Sequence, residues 1–267
     1  MKSAATSTPI VIKIGGAALV STTQLNSLLV QIKQALQGRP WVLVHGGGDT
    51  IDEWLTQAGA SSSKLNGQRV TPAEHMPLVT GALAGYTNKV LVSIAQQAGI
   101  RALGLSLVDG EALPLHQNLE LGCVGTPNWA DIATNKAKYA ELLEHLFKAQ
   151  VTPVMSSIGC LGNGQLANVN ADLAAAAIAF VLDAELLLLS DVDAILNANG
   201  EAIGDITLSA GYALLEQSFV QGGMHVKLEA ALEAASRCRR MTAITSWQQP
   251  AQVVALLQGD SVGTRIL

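Results

Sequence analysis

The chain is short of charge, of aromatic rings and of cysteine, and each shortage closes off a class of function. Only 14% of its 267 residues are charged, with 16 Lys plus Arg against 21 Asp plus Glu, for a net charge of -5. The densest basic group is Arg237, Arg239 and Arg240, too small a footprint for a polyphosphate backbone, so no nucleic-acid partner is expected. Cys123, Cys160 and Cys238 stand far apart and form no CxxC pair, which excludes a disulfide frame or zinc site and predicts a reduced, cytoplasmic protein. His45, His75, His116, His145 and His225 lack metal-ligand spacing and read as core or surface residues. Apolar residues reach 49%, yet the longest run, Leu173 to Leu182, stops at Asp183. That is well short of the ~20 residues a bilayer span needs, so it reads as a buried helix and no membrane partner is expected. Residues 1 to 8 hold one lysine and no apolar stretch, so no signal peptide is expected either.

Familiar catalytic signatures are missing as well. No GxxxxGK[ST] occurs, which excludes a P-loop, and no protein-kinase catalytic loop or DFG follows a glycine-rich strand. The nearest approach to GxSxG begins at Gly104 and fails at Val108, and Gly46 to Gly48 do not make GxGxxG.

What remains is organised around Val42 to Leu55, VLVHGGGDTIDEWL, an apolar strand running through three glycines into an amphipathic stretch. Glycines let the backbone approach a ligand, and the helix that follows turns unpaired N–H groups toward the turn, which makes an anion site. A bare flexible loop is the competing reading. Thr50 and Glu53 have the spacing of a capping box, and Ile51, Trp54, Leu55 and Ala58 recur at helical intervals. With so few cations, any anionic ligand must be neutralised by individually placed side chains, so each interior Lys or Arg is informative.

Val11, Ile12 and Ile14 form a second apolar strand with Lys13 at its centre, ending in Gly15 and Gly16. A lysine there is costly unless it snorkels to water or meets an anion. Leu25, Leu28, Leu29, Ile32 and Leu36 define a helix face ended by Gly38 and Pro40. Residues 60 to 70 read as a serine-rich loop carrying Arg69, and Thr71, Pro72 and Glu74 as a capped helix start, with a restart near Met76 forced by Pro77. Strands are expected at 100–107, 151–156, 185–191 and 242–246, with an irregular stretch from Asp109 to Thr134 and a turn at Asn163 and Gly164. Helices are expected around Tyr139 to Phe147, after Asp172, from Ser209, from Met224 to Arg237 and from Pro250 to Leu257. Such alternation implies crossovers and a mainly parallel sheet. Asn168, Asn170 and Asp172 supply more polar side chains than a helix cap requires, and Lys227 sits early in a helix, where a cation opposes the dipole.

Together, Lys13 to Gly16, His45 to Gly48, Asn66 to Thr71, Asn168 to Asp172, Ser190 to Val192, and Gly223 and Met224 with Lys227 resemble the amino acid kinase family, in the branch that phosphorylates N-acetyl-L-glutamate. The resemblance runs from about Pro9 to Leu267. It implies a three-layer αβα sandwich, with residues 1–167 as an N-terminal lobe for the acyl amino acid and 168–267 as a C-terminal lobe for ATP. It further implies transfer of the ATP γ-phosphoryl group to the side-chain carboxylate of N-acetyl-L-glutamate, an early step of arginine synthesis. Lys13 and Lys227 match the pair of transition-state lysines, and Asp172 the carboxylate that holds them. Gly16, Gly47 and Gly48 would donate backbone N–H groups, Arg69 would grip the α-carboxylate, and Asn168 would hold the acetamido or carboxylate end. Asp191, Val192, Asp193, Ala194, Ile195 and Leu196, with Gly222, Gly223 and Met224, match the nucleotide site. Mg2+ is expected to arrive on ATP, with no dedicated protein cage. Ala194, His225, Val226 and Val108 depart from the family pattern, Ala194 standing where glycine is usual. The family's arginine-inhibited hexamers carry an N-terminal helix, and none is expected ahead of the first strand here, which predicts an arginine-insensitive homodimer. Kinases of N-acetyl-aminoadipate, aspartate, glutamate or carbamate share the nucleotide half, and a non-catalytic sensor is the reading from another class.

Overall fold

In the computed structural model, described here for residues 8–267, an eight-stranded sheet forms the centre of the described chain. The expectations of no leader segment and no N-terminal helix fall on residues 1–7, outside the described residues. In spatial order the sheet runs β14 (Asp205–Ile206), β16 (Thr264–Ile266), β15 (Thr242–Ser246), β11 (Glu185–Ser190), β1 (Ile10–Ile14), β2 (Trp41–His45), β8 (Thr152–Ser156) and β5 (Ala102–Ser106). The six strands from β15 to β5 are parallel, and β16 turns antiparallel beside β15. Parallel strands covered on both faces read as continuous apolar runs, which is what IVIKI, WVLVH and ELLLLS are.

Helices cover both faces, giving the three-layer αβα sandwich. On one side lie α1 (Thr22–Leu36), α4 (Asn88–Gln97) and α9 (Pro250–Leu257), packed on Ile10, Ile12, Ile14 and Leu43. On the other lie α5 (Trp129–Lys148), α6 (Ala171–Leu182), α7 (Leu208–Leu215) and α8 (Gly222–Cys238), packed on Val11, Val42, Val44 and Leu188. Strand alternation therefore sends Lys13 to the same face as Val11, toward α6. The buried alanines of α6, Ala174 to Ala177 and Ala179, let α6 approach both the sheet and α8 closely.

Several local expectations are corrected. α2 (Gly48–Gln57) starts two residues before Thr50, with Gly47 as its N-cap and no side-chain cap, so the Thr50–Glu53 capping box does not form. Glu53 instead accepts from Gln57 at 3.0 Å. The segment read as a serine-rich loop contains a hairpin, β3 (Ser63–Leu65) and β4 (Gln68–Val70), turned by Asn66 and Gly67, both at positive φ. Thr71 does not cap a helix: a 3-10 turn starts at Ala73 without a side-chain cap, and the Thr71 hydroxyl accepts from Asn168 at 3.2 Å. α3 (Met76–Thr80) does restart at Met76, with Pro77 in its first turn, and passes through a π-helical turn, Gly81–Thr87, into α4. By length and composition the stretch Ala73–Gln97 is apolar enough to cross a membrane, but α4 lies on α1 and the sheet and buries Asn88 completely.

The stretch read as irregular holds β6 (Leu115–Gln117) and β7 (Val124–Pro127), and α5 begins within it at Trp129. With β9 (Ile158–Cys160) and β10 (Leu166–Val169) these form a second sheet, ordered β6-β7-β10-β9, at the carboxyl end of the main one. β10 feeds directly into α6, while the short hairpin β12 (Ile195–Leu196) and β13 (Ala202–Ile203) follows β11.

Candidate active site

Three parallel strands, β1, β2 and β11, end side by side, and their carboxyl ends open on the crevice expected of such a sheet. At its floor Lys13, Asp172 and Lys227 meet. Asn170 caps α6, accepting from the N–H groups of Asp172 and Leu173 at 2.9 and 3.1 Å, and this sets the Asp172 carboxylate over β1. Lys13 Nζ lies 2.8 Å from Asp172 Oδ1, and Lys227 Nζ donates to Asp172 Oδ2 at 3.3 Å. Lys13 and Asp172 are both buried at 5% exposure. No donor approaches Oδ1 at hydrogen-bond angles among the described residues, so the Lys13 contact is a close ion pair.

The electrostatics follow from this burial. Desolvation pushes the Lys13 ammonium below its ordinary range, against the pull of Asp172 and with the help of Lys227. For Asp172, burial favours the neutral acid, but the charges of Lys13 and Lys227, with the Lys227 hydrogen bond, outweigh it and hold the carboxyl below its usual range. One carboxylate thus carries two ammonium groups, leaving a net positive centre at the end of the sheet.

Beside the triad is a cleft of about 190 Å³, lined by Gly46, Gly47, Gly48, Arg69, Asn168 and Asn170 among others. Of the predicted substrate residues, Gly47, Gly48, Arg69 and Asn168 converge here, while Gly16 lies just outside the lining. Gly16 opens a 3-10 turn, Gly16–Val20, so close to the glycine turn that a Cβ on it would sit 3.3 Å from Gly47 Cα and Gly48 N. A Cβ on Gly47 would come within 2.8 Å of Leu83 Cδ2, so any larger residue there must displace the Leu83 side chain. Among the described residues, no protein acceptor meets the N–H of Gly47 or Gly48.

Arg69, buried on β4, pairs through Nη1 with Asp52 and Ser62 and through Nη2 with the Gly48 carbonyl at 3.1 Å. The guanidinium holds the Asp52 carboxyl below its usual range. Asp52 and Lys64, which also lines the cleft, were not singled out by sequence. The signal for Asp52 was its place one turn into the helix after the glycines, facing a buried arginine.

The predicted nucleotide residues lie outside this cleft. Asp191 follows β11 and accepts from the Trp247 indole N–H at 2.7 Å, while Asp193 accepts from Gln249 at 3.1 Å. Ala194 and Ile195 are buried, Ile195 donating its N–H to the Thr264 hydroxyl at 2.9 Å. Gly222, Gly223 and Met224 form the first turn of α8 itself. A Cβ on Gly67 would lie 3.3 Å from the Gly222 carbonyl, so the hairpin tip rests on the start of α8.

Two ammonium groups on one carboxylate, beside glycine turns where Gly47 and Gly48 N–H meet no acceptor among the described residues, make an environment that favours anions at the carboxyl end of a parallel sheet. The chain belongs to the amino acid kinase family, whose profile matches residues 8–246. It is 48% identical over 259 residues to a protein of Colwellia psychrerythraea named acetylglutamate kinase, covering 97% of this chain and 96% of that one. A protein of the same name from Pectobacterium atrosepticum is 43% identical over 263 residues, covering 97% and 99%. The crystal structure of smu.665 from Streptococcus mutans superposes with a TM-score of 0.78 at 27% identity, covering 97% and 98%.

Proposed function

We propose that this chain transfers the γ-phosphoryl group of ATP to the side-chain carboxylate of N-acetyl-L-glutamate, giving N-acetyl-L-glutamyl 5-phosphate and ADP for arginine synthesis. The Lys13–Asp172–Lys227 triad is the observation that carries the reading, and the full-length similarity to acetylglutamate kinases supports the substrate. In-line phosphoryl transfer to a carboxylate presses two anions together, so catalysis is positioning and charge neutralisation. Lys13, on the sheet, and Lys227, on α8, flank the reacting groups from two sides, and Asp172 keeps both ammonium groups where negative charge develops. The N–H groups of Gly16, Gly47 and Gly48 take the moving phosphoryl and acceptor oxygens, Arg69 takes the α-carboxylate, and Asn168 the acetamido or carboxylate end.

The acyl amino acid is assigned to the 1–167 lobe and ATP to the 168–267 lobe, along Asp191 to Leu196 and Gly222 to Met224. Mg2+ enters on the ATP phosphates and neutralises part of their charge when bound. Asp172, with both oxygens against ammonium groups, offers it no ligand, and no group of three His, Cys, Asp or Glu side chains converges among the described residues. A cytoplasmic homodimer completes the proposal. The three cysteines are free, and β5 leaves the sheet with an open edge carrying exposed Leu103, a surface that a second copy can cover.

The test is ATP-dependent acyl phosphate formation, trapped as the hydroxamate, with N-acetylglutamate, glutamate, N-acetyl-aminoadipate and aspartate side by side, and light scattering for the dimer. Turnover confined to N-acetylglutamate is the expected result. Turnover of another acid would move the substrate, and ATP binding without turnover of any would favour a sensor.

A further inference from the structure

His45 ends β2 with its ring completely buried, and the triad makes no use of it. Its two ring nitrogens nevertheless have specific partners. Nδ1 lies 2.8 Å from the Gly46 carbonyl oxygen, and Nε2 lies 3.0 Å from Asn88 Nδ2 at the start of α4. The same Asn88 nitrogen donates to the Val154 carbonyl at 2.9 Å and approaches the Leu105 carbonyl at 3.3 Å, while Asn88 Oδ1 accepts from Lys89 at 2.9 Å. Two carbonyls and an ammonium group therefore fix which end of the Asn88 amide faces His45, and that end is a donor. Facing a donor, Nε2 must be the acceptor, so the imidazole is neutral with its proton on Nδ1, where it donates to Gly46. Burial reinforces this, pushing the ring down to about 4 despite the Gly46 carbonyl, with the Lys89 and Lys13 charges adding to the effect.

A trans peptide ties the two ends of this arrangement together. All peptide bonds among the described residues are trans, and in a planar trans peptide the C=O of residue 46 and the N–H of residue 47 point in opposite directions. Holding the Gly46 oxygen down toward the buried ring turns the Gly47 N–H away from it, to the side where Gly46, Gly47 and Gly48 line the cleft. Gly46 N–H is meanwhile spent on the Ile14 carbonyl at 3.4 Å, extending the β1–β2 ladder by one residue. Leu83 and Thr87 of the π-helical turn pack against Gly47, and Leu83 also lines the cleft. The geometry points to His45 and Asn88 as a positioning pair that aims the Gly47 N–H at the transferred phosphoryl group or the acceptor carboxylate. The inference rests on the phosphoryl-transfer reading above, since it names what aims one of that reading's donors.

The unmodified protein supplies one half of the test. Imidazole 15N NMR at neutral pH should show His45 protonated on Nδ1 and bare on Nε2, and adding ADP with aluminium fluoride should move the Gly47 amide downfield while leaving Gly46 nearly still. Variants supply the other. His45→Asn places an amide N–H near the Nδ1 position, whereas His45→Leu keeps the bulk and deletes the donor. Both should lose thermal stability, but His45→Leu should lose kcat by about 10²-fold with KM values nearly unchanged, and His45→Asn should recover most of it. A proton on Nε2, a Gly47 amide indifferent to the bound analogue, or equal kcat in the two variants at matched stability would overturn the pair's role. Failure of the underlying reading looks different: the tautomer would be as stated, yet the wild type would show no turnover and no analogue-induced shifts anywhere.

Discussion

Asp172→Asn tests the triad most directly, because it keeps the shape and removes one charge. At 2.8 and 3.3 Å, and with an effective dielectric of about 20, the two ammonium contacts are each worth roughly 5–6 kcal/mol of gross Coulomb energy. Much of that offsets the burial of Lys13 and Asp172, so the net loss on breaking the network is nearer 3–5 kcal/mol, and less if a lysine sheds its proton. Lys13 is the lysine that will do so, since burial already depresses its pKa and Asp172 is the largest influence opposing that depression. The sign of the pH dependence follows. With a folded pKa below the unfolded 10.5, the native state binds fewer protons than the unfolded state between those two values, so stability rises with pH across that window. The window widens in the variant. Urea unfolding at about pH 7 and pH 9 should therefore show the gap between variant and wild type narrowing as pH rises. Hydroxamate assays should show kcat down by at least ~10²-fold, since a neutral or displaced Lys13 no longer meets developing charge. Turnover within threefold of wild type, or a stability gap indifferent to pH, would refute the reasoning.

Lys13→Ala and Lys227→Ala should each lower kcat by roughly 10²-fold or more, read by hydroxamate formation, with near-normal turnover in either one sinking the two-lysine mechanism. Arg69→Ala should mainly raise the KM for the amino acid, and a rise confined to the KM for ATP would misplace the substrate lobe. Gly47→Ala forces a Cβ to 2.8 Å from Leu83 and should cost about 1–3 kcal/mol in urea melts, whereas Gly85→Ala, with nothing within 4 Å, serves as the quiet control in the π-helical turn that holds Leu83. On the acid side, the lowered pKa of Asp172 contributes stability that is present above 3.8 and is lost as pH falls through its folded value, measurable as a falling urea midpoint in acid.

Much of this was readable from the chain. Lys13 announced itself as a cation inside an apolar strand, and period-2 alternation carries it to the face where α6 presents Asp172. Asn168, Asn170 and Asp172 stood out as more polar side chains than a cap needs; Asn170 is the one that caps α6, and Asp172 is buried against the two lysines. Misreadings arose where a distant partner took over a local signal. Thr71 has every local mark of a helix cap, yet its hydroxyl is taken by Asn168, 97 positions away. Thr50 and Glu53 fit a capping box, but the glycine turn tolerates an earlier start and the helix takes it. The hairpin after Ser63 carried a plain Asn-Gly signal, masked by the serines before it. Nothing local foretold that Asn88 would reach His45, because that contact exists only once α4 lies on the sheet.

The order of strands also sets a schedule for synthesis. β1 leaves the ribosome well before one of its two neighbours, β11, which pairs Leu186 with Val11 and follows six helices later in the chain. Until then the β1–β2 ribbon offers an open, apolar edge, a template for pairing with other chains. The nascent protein thus depends on later residues to seal a strand made well before them. The strand kept waiting is the one that bears Lys13, so the Lys13–Asp172 pair is enclosed only after β11 has arrived.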